Sequence, residues 1–143
     1  MGLIRLIEQS PKAGPDATIA KTVALMAEEN VGAIAVVEED RVIGIFTERD
    51  LLRRVVVEGQ DPATIPLSDV MSSPVHTVND ETSLSDAARL MRIHHMRYLP
   101  VLDEGGKYVG MLALRHVHNE IMRGLERRVH DLTTWLMTDS LGG

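Results

Sequence analysis

Residues 19–37 read IAKTVALMAEENVGAIAVV, and residues 84–102 read LSDAARLMRIHHMRYLPVL. At an offset of 65 positions the two stretches match apolar with apolar residues, and Met26 aligns with Met91. An ordered match of this kind indicates an internal repeat. Each copy is too short to cover both faces of a sheet by itself, so two copies are expected to pack together around one shared core.

The match continues downstream at an offset of 66. Residues 41–52, RVIGIFTERDLL, align there with residues 107–118, KYVGMLALRHVH. The extra residue lies in the loop at 103–106, which corresponds to 38–40 in the first copy. One added residue in a surface turn leaves the flanking strands unchanged. Each copy therefore predicts a helix, two strands and a second helix.

Hydrophobic periodicity and turn residues give the element boundaries. Thr18 precedes an apolar stripe and is a predicted N-cap, and Asn30 or Gly32 ends that helix. Residues 58–66 contain Gly and two Pro and predict a linker, and Pro74 disfavours a helix at 71–78. The predicted elements are a helix after Thr18, strands at 33–37 and 42–46 and a helix at 50–57, then a helix at 83–95, strands at 98–102 and 108–112 and a helix from His116.

Composition excludes several classes of function. The chain has 143 residues, 15 Lys and Arg against 21 Asp and Glu, no Cys and 3% aromatic residues. The absence of Cys excludes disulfides, a thiol nucleophile and a thiolate metal site. The acidic balance and the scarcity of aromatic residues argue against nucleic acid as a partner. No apolar run reaches the roughly 18 residues of a membrane span, so a cytoplasmic protein without a membrane partner is expected.

The junction GIFTERD at 44–50 carries the chemistry of the repeat. Thr47 ends a predicted strand, and Asp50 lies on the first turn of the following helix. Taken alone, the pair is typical of a helix capping box. Alternatively, the Thr hydroxyl and the free N–H groups of the helix start suit a phosphate or sugar. The two carboxylate oxygens of Asp50 suit the vicinal hydroxyls of a ribose.

With these motifs in place, the chain resembles the cystathionine-β-synthase (CBS) domain family in its tandem form, the Bateman module. The matching segments are MSSPVHTVNDETSLSDAARLM at 71–91, HHMRYLPVLDEGGKYVGML at 94–112 and VIGIFTERDLL at 42–52. The resemblance covers roughly residues 9–123. It implies an α+β fold of two βαββα-type CBS repeats, related by a pseudo-two-fold axis and packed through their small sheets.

This resemblance sets the expected domain organisation and function. The first repeat, with an N-terminal helical segment, is expected at 1–60, the second at 61–123, and a C-terminal helix extension and tail at 124–143. The family implies regulation without catalysis, no obligatory cofactor and an adenosine ligand: AMP, ADP or ATP, with NAD and S-adenosylmethionine as further candidates. No output domain is recognisable, so a homodimer that signals to an effector protein is expected. The alternative is an interaction and oligomerisation module with a vestigial ligand site.

The resemblance also implies a site in the cleft between the repeats. Asp50 would hold the ribose and Thr47 the phosphate side, while backbone near His76 and Met96 would contact the adenine edge. Arg49 and Arg97, with His94 and His95, are candidate phosphate contacts. The predicted nucleotide-binding residues are Thr47, Arg49, Asp50, Met71, Ser72, His76, Met96, Arg97, Tyr98 and Pro100.

The mirror-related position departs from the family pattern. Ala113 replaces the Thr and His116 replaces the Asp, and the facing segment at 32–35 is GAIA. An imidazole cannot accept two ribose hydroxyls as a carboxylate does. One competent site and one altered site are therefore expected, with His116 as a candidate phosphate contact or pH-sensitive group.

The remaining histidines and the C-terminal helix invite further hypotheses. The six histidines lack the spacing of a metal site, so no metal is expected. Residues 117–137 predict a long helix with one apolar stripe and a basic band. Two interpretations stay open: the stripe packs back on the module beside residues 3–7, or it forms a dimer contact anchored by Trp135.

Overall fold

The computed structural model describes residues 2–7 and 11–142, with side chains up to residue 138. It is a mixed α+β fold of two repeats, as predicted. Its elements are a 3-10 helix Leu3–Leu6, β1 Lys12–Ala13, α1 Ile19–Glu29, β2 Ala33–Glu38, β3 Arg41–Thr47, α2 Glu48–Asp50 continuing as a π-helical segment Leu51–Val56, α3 Leu67–Val70, β4 Val78–Asn79, α4 Leu84–Ile93, β5 Tyr98–Leu102, β6 Tyr108–Ala113 and α5 Leu114–Gly142.

Each repeat builds a three-stranded sheet with the same topology. In one sheet β1 runs parallel and β3 antiparallel to the central β2, and β4, β5 and β6 are arranged alike. Ala33 pairs with Thr47 in the first sheet, and Tyr98 pairs with Ala113 in the second. The register shifts after the fourth residue of both β2 and β5. The sequence repeat is thus a structural repeat down to its irregularities.

Matching caps bound the first helix of each repeat. The side-chain oxygen of Thr18 accepts a hydrogen bond from the amide of the third helical residue at 3.3 Å, and that of Ser83 does the same at 3.0 Å. Asn30 and His95 follow the two helices with φ of 55° and 53°. These left-handed residues turn the chain into the next strand, and Asn and His tolerate this conformation better than most side chains.

Several helical boundaries differ from the prediction: the helix expected at 83–95 ends at Ile93, and the one expected from His116 begins at Leu114. The helix expected at 50–57 begins earlier, at Glu48, and widens to a π-helical form over Leu51–Val56. Over six residues a hydrophobic pattern cannot distinguish a π from an α period. Helix α3 was not predicted because four residues are too few for periodicity to detect. It forms because Leu67 and Val70 are buried.

The single shared core expected from the sequence is in fact divided. Each repeat has its own cluster, with Phe46 fully buried in the first and Leu112 in the second. A smaller cluster between the two sheets centres on Ala33, Ala35 and Met111. The small alanine side chains let the sheets approach closely, so the repeats pack through their sheets as the fold class predicts.

Two short segments, Leu3–Leu6 and α3, each pack into the core of the other repeat, and we call them the exchanged segments. Leu3 is buried in the second-repeat cluster, although its position in the sequence assigns it to the first repeat. Conversely, Leu67 and Val70 of α3 lie in the first-repeat cluster, and the Leu67 amide donates to the Ala17 carbonyl at 2.8 Å. Each core is therefore completed by chain that precedes the other repeat in sequence.

An ion pair fastens the N-terminal segment to α5. Arg5 Nη2 lies 3.0 Å from Glu120 Oε1, with Arg123 and Arg127 on the same carboxylate. The hydrogen bond from Arg5, reinforced by these positive charges, lowers the pKa of Glu120. A carboxyl with a lowered pKa in the folded state stabilises the fold above its unfolded pKa and loses that contribution as pH falls through the folded pKa.

Replacing Glu120 with glutamine is therefore expected to lower the melting temperature at neutral pH. The difference from wild type should shrink as the pH falls into the acidic range, because protonation removes the same charge from the native protein. Thermal denaturation at a series of pH values measures this. A difference that persists unchanged at the lowest pH would show that the effect does not depend on the charge of Glu120 and refute the electrostatic explanation.

Candidate functional site

Thr47 and Asp50 join β3 to α2, and their side chains complete a capping box. The Thr47 hydroxyl accepts a hydrogen bond from the Asp50 amide at 3.2 Å, and Asp50 Oδ2 accepts one from the Thr47 amide at 3.0 Å. The Thr47 hydroxyl also lies 3.2 Å from Oδ2. Asp50 is only 8% exposed, so these bonds compensate a buried charge. The capping interpretation is confirmed, and ribose binding stays a prediction.

The other carboxylate oxygen of Asp50 reaches the start of the second repeat. Ser72 donates its hydroxyl to Oδ1 at 3.0 Å, and Arg54 Nε lies 3.7 Å from the same oxygen. Arg54 also donates to the Met71 carbonyl at 2.8 Å, and Ser72 exchanges two backbone hydrogen bonds with Ile45 of β3. The structure thus brings together four of the predicted residues: Thr47, Asp50, Met71 and Ser72.

Most of the residues predicted to hold the base lie on the second repeat, around the end of α4 and along β5. His76 stacks on His94, with ring centroids 3.9 Å apart. Met96 is half-buried against the second core, Arg97 is exposed, and Pro100 is buried in β5. Within the described part of the chain, no hydrogen bond or ion pair joins them to Asp50. Their convergence on one ligand stays a prediction, as does the role of the exposed Arg49.

A cavity of about 530 Å³ opens between the repeats on the mirror-related side. Its walls include residues 31–32 of the first repeat, Glu48 and Leu51 of the helix after β3, and Tyr98 and Arg115 of the second repeat. This volume falls within the usual range of small-molecule sites. With one acidic and one basic side chain in the lining, the cavity is suited to a polar ligand.

This cavity includes one predicted residue and two that the sequence analysis missed. Tyr98 is predicted to face Thr47 and Asp50, yet its hydroxyl packs against Gly32, where an added Cβ would require Tyr98 to move. Glu48 and Arg115 were not predicted. Arg115 could have been found, because it occupies the position of Arg49 at the offset of 66. Ala113 is buried and His116 half-buried beside it on the same strand-to-helix junction.

Two other classes of site find no support in the part of the chain that the structure describes. Among the described side chains, at residues 2–7 and 11–138, no group of three or more His, Asp or Glu residues is arranged to hold a metal ion. Over the same residues, no helix combines the length and apolar character of a membrane span.

Comparison with known proteins gives a family for this arrangement. The model of the CBS domain matches residues 6–57 and 67–123. The chain is 42% identical over 100 residues to the CBS domain-containing protein YhcV of Bacillus subtilis, covering 70% of each chain. It is also 36% identical over 104 residues to an uncharacterised protein of Methanopyrus kandleri, and that match covers 72% of this chain but only 53% of the relative's length.

Solved structures share the fold. A CBS domain protein from Pyrobaculum aerophilum complexed with AMP superposes with a TM-score of 0.73 at 28% identity, covering 81% of this chain and 89% of that one. A hexameric CBS-CP12 protein from bloom-forming cyanobacteria gives a TM-score of 0.72 at 28% identity, covering 82% of this chain and 69% of that one. Since the two matched regions of the sequence take up most of its length, the chain belongs to the CBS domain family.

Proposed function

We propose that this chain is a regulatory module that binds an adenosine nucleotide of the AMP, ADP or ATP type and reports it to an effector protein. It would act in the cytoplasm as a homodimer, without catalysis of its own. Two findings support the proposal: the tandem CBS fold and a related structure that holds AMP. The observation that carries it is the buried Asp50 carboxylate, held where chain from both repeats meets.

The hydrogen bonds of Asp50 define how a ribose would bind. A carboxylate can accept about four hydrogen bonds. Oδ2 already accepts from the amide and hydroxyl of Thr47, and Oδ1 accepts from Ser72. A ribose diol therefore needs the remaining site on Oδ1 and the one that Ser72 occupies. Nucleotide binding would displace the Ser72 hydroxyl and keep the cap intact.

Displacement of the Ser72 hydroxyl would link ligand binding to a change in the conformation of the module. Ser72 and Met71 begin the second repeat and are tied to the first through Asp50, Arg54 and Ile45. Releasing the Ser72 hydroxyl would change that connection, and phosphate contacts at Arg49 and Arg97 would add new ones. A ligand shifts a conformational equilibrium only by its difference in affinity for the two states. The change at Ser72 is the proposed source of that difference.

A specific observation also favours the second candidate, an interaction module with a vestigial site. The buried carboxylate is already compensated by its own cap, by Ser72 and by Arg54. A site satisfied in this way is stable without a ligand. Calorimetry with AMP, ADP, ATP, NAD and S-adenosylmethionine separates the two candidates. Saturable binding of one nucleotide per chain supports the sensor, and no heat from any compound at millimolar concentration supports the interaction module.

The matched arginines Arg49 and Arg115 test which cleft is used. We expect Arg49→Ala to weaken binding of the preferred phosphorylated ligand by at least about tenfold, because a charge-assisted bond to phosphate contributes about 1.5–3 kcal/mol. Arg115→Ala should change the affinity less than twofold. Isothermal titration of both variants measures this. The reverse result would move the nucleotide from the Asp50 site to the 530 Å³ cavity.

A further inference from the structure

The second half of α5 carries an apolar seam. Up to Ile121 the helix packs against the second-repeat core. Beyond that point its large apolar side chains are exposed, with exposed fractions between 47% and 64% along the seam. Five of them follow one another at alternating spacings of three and four residues: Met122, Leu125, Val129, Leu132 and Leu136. We call these five residues the seam.

The spacing indicates the kind of partner. Alternating steps of three and four average 3.5 residues, which is the repeat of a left-handed coiled coil. A helix lying on a membrane has a broader apolar face and a polar face rich in Lys and Arg. Here the polar face mixes acidic Glu126 and Asp131 with Arg127 and Arg128. The seam therefore suits another helix with the same narrow stripe.

We propose that α5 pairs with α5 of a second copy as an antiparallel coiled coil. Arg128 and Trp135 lie along one flank of the seam, and Glu126 and Thr133 lie along the other. In an antiparallel pair like flanks face each other. The register that sets Leu125 opposite Leu136 of the second copy also brings Arg128 beside Trp135 of that copy. A guanidinium over an indole face is attractive, and Glu126 then meets the neutral Thr133.

Charge disfavours the adjacent antiparallel register. With Leu125 opposite Val129 of the second copy, Arg128 faces Arg128 and Glu126 faces Glu126, so like charges meet on both flanks. A parallel pair in register sets Arg128 beside Thr133 and leaves the Trp135 indole without the cation. The proposed register also sets Val129 opposite Leu132, which gives four consecutive apolar layers.

The apolar area is adequate for a specific dimer. Each seam side chain and Trp135 exposes on the order of 100 Å², so two chains would bury about 1,200 Å², the lower end of stable protein interfaces. This inference rests on the proposed function only for the homodimeric state. It makes no use of a nucleotide, so its test can fail while nucleotide binding holds.

Substitution in the seam tests the contact. Leu132→Asp lies in the seam, and Thr134→Asp introduces the same charge on the opposite, exposed side of α5. Sedimentation equilibrium of the full chain is expected to give a wild-type dimer, a Leu132→Asp dissociation constant at least tenfold higher, and a Thr134→Asp value within twofold. A dimer unaffected by Leu132→Asp would overturn the proposal. A wild-type monomer would also overturn it, and binding of that monomer to phosphatidylserine vesicles would assign the seam to a membrane.

Cysteine cross-linking tests the orientation, because the chain contains no Cys of its own. In the antiparallel register, a Leu125→Cys chain mixed with a Leu136→Cys chain should form a heterotypic disulfide. Either variant alone should form none, because identical positions would lie about 16 Å apart at 1.5 Å per residue. A parallel pair gives the opposite result. Homotypic disulfides, or no disulfide in the mixture, would overturn the proposed register.

Discussion

Replacing Asp50 with alanine is expected to abolish nucleotide binding and to lower the stability of the ligand-free protein. The variant loses the acceptor of the Thr47 amide, the Thr47 hydroxyl and the Ser72 hydroxyl, and it removes the charge beside Arg54. Leaving a buried donor without an acceptor costs about 1–3 kcal/mol. Binding fails for a separate reason: Asp50 is the acidic member of the capping box, so its loss leaves no carboxylate there to accept the ribose diol.

Two controls separate these effects. Asp50→Asn keeps one acceptor oxygen and the size of the side chain, so it should retain more of the stability and still bind weakly. His116→Ala changes the mirror-related position and should keep most of the ligand-induced stabilisation, which is about 2.7 kcal/mol at a hundredfold excess over the dissociation constant. Denaturant unfolding with and without nucleotide gives both the stability and the ligand-induced stabilisation.

Equal losses in Asp50→Ala and His116→Ala would refute a single competent site. Wild-type affinity in Asp50→Ala would leave Asp50 as a helix cap only.

The repeat made most of the fold predictable from the sequence. Matching positions acquired matching roles, as with the left-handed residues Asn30 and His95. The positions of the exchanged segments were not predictable, because the residues around Leu3 and Leu67 do not indicate which core each side chain enters. Their placement depends on contacts between distant parts of the chain.

The candidate site was predictable to the extent that its bonds are local. Thr47 and Asp50 are three residues apart, so their capping box follows from spacing alone. Arg54 could also have been found, since it lies four residues after Asp50 on the same helical segment. Ser72 lies 22 residues away, and nothing in its neighbourhood shows that its hydroxyl reaches Oδ1. The cavity does not follow from the sequence, because its lining residues come from distant segments such as 23–32, 48–51 and 98–115, which only the folded chain brings together.

Removing a large, fully buried side chain from each core tests whether the repeats fold as one unit. Phe46 is fully buried in the first cluster, and Leu112 occupies the equivalent position in the second. We expect Phe46→Ala to cost about 3–5 kcal/mol and Leu112→Ala about 2–5 kcal/mol, from lost burial and the cavity that remains. Against a typical stability of about 5–15 kcal/mol, either change removes much of the total.

The exchanged segments decide how these variants unfold. Leu67 and Val70 belong to the first core, so the start of the second repeat is held by the first, and Leu3 is held by the second. Loosening one core therefore withdraws side chains or attachment points from the other. Both variants should unfold in a single transition followed by circular dichroism at 222 nm, with an unchanged denaturant dependence. A second transition in which one repeat persists would show that the exchanged segments do not couple the two cores. If that occurred, a ligand bound between the repeats would have to act through the small alanine-lined cluster between the sheets.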